Sequence, residues 1–446
     1  MSVIQLDNYR THTTPLASAV RIGDFHRQYS DFHSLDLLSD KRAVVDACNV
    51  SQQSDLLAEL RANGYEIILD TQAAELACAF KWNGRARGAE WLTSEPDGPL
   101  LNPQFDLEMA HQIAALAVKA GAHVILAPSR YLSATAALAT LRLDFDFLQV
   151  LRTALDRSGA TQTAIASSFI GRLTLLGDDE VSETLTSLLS DSPVTSVWMR
   201  LSGLKRDPAP GRIRTSARRL SALKDTGLPV VLDYAAGLEP MTLLSLGAAS
   251  GISFGAMKND QFSDETWIKP IKSPSNSLDE ETGRKQYVRA PSLGRNFSQA
   301  ELQLLADAPK GKRILLDPSN TGLSTYTDLK KRAKEVALRE TNRAMSQLSA
   351  TPNARRTEHI QTYILKPAAR KAEQLAALKL DVERAASLKV DADSLSKRLA
   401  THASQVRKTC DMINVVQNKQ DTRASAPIPL AHLGETTMPA HSEDRP

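Results

Sequence analysis

The chain has 446 residues, 42% hydrophobic and 24% charged, proportions of an ordinary globular protein and too apolar for a wholly disordered one. Its 54 basic and 51 acidic residues leave a formal charge of only +3, so affinity for a polyanion has to come from local clustering and not from net charge. No apolar run approaches the ~20 residues that cross a bilayer, and three scattered cysteines, Cys48, Cys78 and Cys410, argue against a disulfide framework or a structural zinc cluster.

Residues 1–42 read as an N-terminal segment. They lack a basic stretch followed by an apolar one, which predicts no secretory signal and a cytoplasmic location. From residue 43 onward, short apolar runs recur with turn residues behind them: AVVDA (43–47), EIILD (66–70), HVILA (123–127), QTAIA (162–166), SVWMRL (196–201), PVVLD (229–233), GISFG (251–255) and RILLD (313–317). Each is nearly continuous in apolar character, as expected of parallel strands covered on both faces.

The segments between them carry Leu, Ala, Val and Ile at three- and four-residue spacing. Acidic or hydroxyl residues stand near several of their starts and glycine after several of their ends. Strand then helix, repeated about eight times, predicts an α/β protein of the TIM-type β/α-barrel class over residues 43–322. A doubly wound open sheet is the alternative, because a strand count alone does not establish closure.

The rhythm breaks at residues 256–297, a polar insertion rich in Ser, Asp and Lys. Insertions of this kind concentrate in loops at the C-terminal end of barrel strands. Residues 323–418 read as a helical extension. Within it Leu388, Ala392, Leu395, Leu399, Ala403, Val406, Cys410 and Ile413 keep a near-heptad spacing. That face suits either packing on the barrel or contact with a protein partner or second copy through 376–415. Residues 419–446 are polar and proline-bearing and are expected to be disordered.

Barrel chemistry sits where strands end, so polar residues closing apolar runs are the candidates. Asp46, Asp70, Ser129 with Arg130, Ser167 with Ser168, Arg200 with Ser202, Asp233 and Asp317 hold such positions. Asp70 and Asp233 are the candidate catalytic carboxylates, with Asp46, Arg130, Arg200 and Ser202 beside them as substrate-binding groups. Gly237, Gly255 and Lys258 stand at the ends of the sixth and seventh runs, where barrels commonly bind an anion. The most basic stretch, residues 204–224, carries Lys205, Arg206, Arg212, Arg214, Arg218 and Arg219, candidates for phosphate or nucleic-acid contact. Residues 70–92 contain Phe80, Lys81, Trp82, Arg85, Arg87 and Trp91, able to clamp a planar base or to pack a loop on the barrel rim. No motif calls for a cofactor, and no spacing demands a metal.

Gly237-Leu238-Glu239-Pro240-Met241 followed by LLSLGA resembles the G-x-x-P-M…LG segment of tRNA-guanine transglycosylases, and Asp70-Thr71 resembles that family's D-[ST]-G-G loop. The resemblance implies a β/α barrel that exchanges a base, with a nucleobase or nucleic acid as partner. Gln72 and Ala73 replace the loop glycines, the family's nucleophilic Asp falls near Ile252 or Ser253, and its zinc-binding Cys/His cluster has no counterpart. Asp70 alone carries over, as an acid/base or base-recognition residue. Two further readings stand beside it: a non-catalytic barrel acting as a binding module in a multi-protein system, and a phosphate-binding metabolic barrel.

Overall fold

The computed structural model describes residues 13–23, 26–38, 40–77, 91, 105–257, 260–265, 287–290, 292–316, 323, 325–417 and 426–429. Eight parallel strands form a ring: β1 (Ala17–Arg21), β2 (Arg42–Asp46), β3 (Glu66–Asp70), β4 (Val124–Leu126), β5 (Ala164–Arg172), β6 (Ser196–Ser202), β7 (Val230–Asp233) and β8 (Gly251–Gly255). Neighbours pair in chain order, and the ring closes where β8 pairs with β1, from Ala17 opposite Gly251 to Arg21 opposite Gly255. Closure excludes the open sheet.

Two strand positions differ from the sequence reading. β1 lies inside the segment placed ahead of the barrel, and the RILLD run belongs instead to helix Gly311–Leu316. A short apolar run has no periodicity with which to tell a strand from a buried helix. Asp317 lies outside the described residues.

Alternation along the strands divides the apolar residues in two. Ala19, Val44, Ile68, Ala166, Trp198 and Val231 form a small cluster inside the ring. Val20, Val45, Leu69, Val197, Leu232 and Ile252 belong to the main core beneath the helices. At the N-terminal end Arg42 pairs with Glu66 at 2.9 Å and donates to the Ile428 carbonyl at 3.0 Å, while the Ile428 side chain packs on the interior cluster. Residues 426–429 of the expected disordered tail are therefore the floor of the barrel.

Helices α1 (His26–Ser34), α2 (Ser54–Ala62), α3 (Leu107–Ala120), α4 (Ala137–Arg157), α5 (Asp179–Ser190), α6 (Pro210–Ser221) and α7 (Leu238–Ser245) follow the first seven strands. Sequence signals set their ends: Asp106 accepts from the Met109 amide to start α3, Gly121 at φ +60° ends it, and Asp178 caps α5.

After β8 come a hairpin, Tyr287–Ala290 with Arg295–Ser298, and helices α8 (Gln299–Asp307), α9 (Gly311–Leu316), α10 (Tyr326–Lys331), α11 (Ala333–Ala350), α12 (Lys366–Ala376) and α13 (Ala392–Gln417). Val288, Phe297, Leu304, Leu315 and Leu329 build a second core there. α11 packs against β1 and α7, taking the eighth helical place of the barrel. It also joins the cores, with Val336 in the second and Met345 and Leu348 in the first. α13 does the same: Leu395, Leu399 and Ala403 enter the second core, Val406, Cys410 and Ile413 the first, and the helix packs along α12. The near-heptad face is thus used within the chain. Among the described residues no helix is long and apolar enough to cross a membrane.

Candidate functional site

In each strand the residue two places beyond an interior apolar one shares its inward facing. That rule sends Arg21, Asp46, Asp70, Arg200 and Asp233 into the C-terminal mouth of the barrel from five different strands. Arg21 grips Asp233 with both arms of its fork, Nε to Oδ1 and Nη2 to Oδ2, each at 2.9 Å. It also reaches Asp70 Oδ2 at 2.8 Å and Asp46 Oδ1 at 3.3 Å. Arg200 meets Asp70 Oδ2 at 2.5 Å, Asp233 Oδ2 at 2.9 Å and Glu75 Oε1 at 3.1 Å. All six side chains are buried.

Two guanidinium groups face four carboxylates, so full ionisation would leave two uncompensated negative charges in a layer with little water. Burial pushes the Asp46 carboxyl up to about 7 and the Glu75 carboxyl also upward, with Arg21 and Arg200 opposing the rise and Asp70 adding to it. Asp70 goes the other way. Burial works to raise it, but Arg200, Arg21 and the Gln72 amide together hold it down at about 2. The layer therefore contains one carboxylate pinned in the ionised form and another that exchanges its proton near neutrality.

Tyr234 covers the layer. Its ring lies over both guanidinium groups, 4.1 Å from Arg21 and 4.5 Å from Arg200 to the ring centroid. It sits at φ +54°, a left-handed conformation uncommon for a bulky side chain. Ala74, Ile170 and Phe262, with Tyr131 and Tyr234 packed against them, form an apolar cap above. Two buried oxygens, Glu75 Oε2 and Ser253 Oγ, have no hydrogen-bond partner among the described residues.

The remaining sequence candidates are placed elsewhere. Arg130 binds Asp144 on α4 through its amide at 2.9 Å and its guanidinium at 2.5 Å, and stacks 3.8 Å over Phe105. It anchors α4 to the loop after β4 and does not join the layer. Ser202 donates to Asp264 at 2.7 Å, which also accepts from Tyr131 at 2.6 Å and Arg172 at 2.5 Å. Burial opposes it, but these hydrogen bonds keep Asp264 below the usual carboxylate range. This second polar group ties the start of the insertion to the rim. Gly237, at φ +102°, begins α7 where a Cβ would stand 2.9 Å from the Arg206 backbone. Gly255 lies opposite Arg21 in register and so puts no side chain beside it. Lys258 and Phe80, Lys81, Trp82, Arg85 and Arg87 lie outside the described residues; Trp91 donates to the Thr71 carbonyl at 3.0 Å and is buried.

The basic stretch is partly engaged in holding the fold. Arg206 pairs with Asp260, Arg212 with buried Glu239 at 2.5 Å, and Arg219 donates to the Leu173 carbonyl at 2.9 Å. Lys205, Arg214 and Arg218 are exposed. Sequence reasoning missed Arg21, Glu75, Tyr234 and Asp264. A signal existed for the first: the small-residue run ASAV ends in a charged residue, Arg21, and Gly23 follows.

No protein-family model matches this chain, and no curated protein matches it in sequence. Among solved structures it is similar to an HpcH/HpaI aldolase from Desulfitobacterium hafniense, at 10% identity and TM-score 0.32 over 56% of this chain and 89% of that one. It is similar to a GH26 beta-mannanase from Bacteroides ovatus, at 12% identity and TM-score 0.35 over 58% and 85%. An intracellular xylanase from Thermoanaerobacterium saccharolyticum gives 8% identity and TM-score 0.34 over 60% and 91%. None of the three is described as a transglycosylase, and the barrel rests on its own ring closure from β8 to β1.

Proposed function

We propose that the barrel mouth is an acid–base site for cleavage or exchange of a glycosidic bond to a nucleobase. One observation supports this reading: in a single buried layer Asp46 is pushed up to about 7 while Asp70 is held down at about 2. Neighbouring carboxyls driven apart in this way can divide the roles of proton donor and fixed negative charge. Asp46 gives its proton to the departing base nitrogen, which takes the electron pair of the C–N bond. Asp70 and Asp233, held by Arg21 and Arg200, stabilise the cationic sugar, and water or a second base completes the bond at carbon, its proton returning to the Asp46 carboxylate. A mouth rich in carboxylates suits a neutral or cationic substrate and disfavours phosphate at Gly255.

The test is incubation of the full chain with a panel of nucleosides and free bases, read by chromatography. Base release or exchange by the wild type, abolished in Asp46→Asn, is expected. No turnover of any nucleoside by a folded wild type removes the reading.

A second reading, a barrel that binds without catalysis, is supported by the apolar cap of Ala74, Ile170 and Phe262 over a layer whose arginines are satisfied from within. It predicts a co-purifying protein partner and no effect of Asp46→Asn on that association.

A further inference from the structure

A cavity of about 1690 Å³ lies between α11, α12, the turn preceding α12, and the hairpin loop at 292–294, away from the carboxylate layer of the barrel. Its wall is strongly basic. Arg289 is paired with Asp260, Arg339 with Glu335 at 3.0 Å, and Lys371 acts on Glu340, the one acidic residue of the lining among the described residues. Four more cations, Lys310, Arg313, Arg343 and Arg370, are exposed on the same wall and form no ion pair among the described residues. Like charges gathered around a concavity repel one another, and a chain of net charge +3 could have dispersed them. Low-dielectric walls focus such a field on whatever anion enters.

The cavity also has an apolar and aromatic side. Leu238, Met241, Val336 and Ile364 line it, and Tyr363 projects there with 67% of its surface exposed. The Tyr363 ring rests 4.9 Å from that of His359, whose Nε2 is buried without a hydrogen-bond partner among the described residues. Tyr363 belongs to a π-helical turn, Gln361–Leu365, a widening of the helix frequently found at functional sites. The volume exceeds the ~300–1,000 Å³ of common ligand pockets, leaving space for a ligand in two parts.

We propose that this cleft binds a nucleotide, its phosphates held by Lys310, Arg313, Arg343 and Arg370 and its base against Tyr363 and His359. Guanidinium forks match phosphate oxygens in pairs, and an exposed tyrosine face offers a platform for a planar ring. The inference does not rest on the acid–base reading, because none of the six side chains of the barrel layer lines the cleft.

Isothermal titration calorimetry on the full chain tests it with ATP, inorganic tripolyphosphate, adenosine and a short single-stranded oligonucleotide. ATP is expected to bind at about micromolar Kd, tripolyphosphate more weakly, and adenosine undetectably. Arg343→Glu combined with Arg370→Glu, both at exposed positions and checked by thermal midpoint, is expected to weaken ATP about a hundredfold. Tyr363→Ala is expected to weaken ATP and leave tripolyphosphate unchanged. ATP binding undiminished in the double variant, no ATP binding at ~1 mM, or binding of the oligonucleotide alone would each overturn the proposal.

Discussion

Arg21 and Arg200 hold the same two oxygens, Asp70 Oδ2 and Asp233 Oδ2, from strands β1 and β6 of the ring. The shared grip makes the two arginines one unit. Replacing either by Met leaves buried carboxylates with half their compensation, a defect worth about 3–5 kcal/mol. Adding Asp233→Asn to Arg21→Met is expected to recover part of that loss. Urea unfolding of the four species at pH 7 measures it, and strictly additive effects would show that the two side chains act separately.

The proton on Asp46 gives stability a pH dependence of definite sign. The folded carboxyl titrates at about 7 against an ordinary 3.8, so between those values the native state keeps a proton that the unfolded chain has released. Stability from this group is therefore greatest at acid pH and falls as pH rises from about 4 through 7. Asp46→Asn mimics the protonated form. Its stability relative to wild type is expected to rise by roughly 1–3 kcal/mol from pH 5 to pH 8. Asp70 has the opposite sign: its contribution is complete above its unfolded value and is lost only as pH falls toward 2.

Tyr234 combines a strained backbone with a stacked ring, and two substitutions separate them. Glycine removes the ring and relieves the positive φ, whereas alanine removes the ring and keeps the strain. Tyr234→Ala is expected to be less stable than Tyr234→Gly by about 1 kcal/mol in thermal or urea unfolding. Equal stabilities would mean that the local backbone relaxes.

The seam on α13 makes a prediction about association. Leu399 is fully buried within its own chain, so Leu399→Ala is expected to cost about 2–5 kcal/mol of unfolding free energy. The midpoint should not vary with protein concentration, because the lost contacts are intramolecular. A concentration-dependent midpoint in the wild type would place that seam between two copies.

Much of the barrel was legible because strands buried on both faces are nearly continuous in apolar character: β2, β3, β6, β7 and β8 coincide with runs such as EIILD and PVVLD. β1 was not, since Ala17-Ser18-Ala19 offers small side chains where strand recognition needs bulky branched ones. Losing β1 meant losing Arg21, the residue that joins Asp46, Asp70 and Asp233. Those carboxylates could be picked out singly as polar ends of apolar runs, but their mutual shielding is a property of closure. Glu75 and Tyr234 stand beside Asp70 and Asp233 in sequence, yet nothing local reveals that one accepts from Arg200 and the other covers it. The internal pairing of the basic stretch was hidden for a related reason: Arg206 and Arg212 find Asp260 and Glu239 only after folding.

The eighth helical place of the ring is taken by α11, which comes some eighty residues after β8 and rests on β1 at the other end of the chain. During synthesis the first seven strand–helix pairs can emerge and stack while the oldest strand still lacks its cover. The ring can close through β8, but its helical cover is complete only once the stretch beyond the hairpin has left the ribosome. A chain halted before Ala350 would leave bare the apolar face that α11 covers on β1 and α7, a surface prone to association.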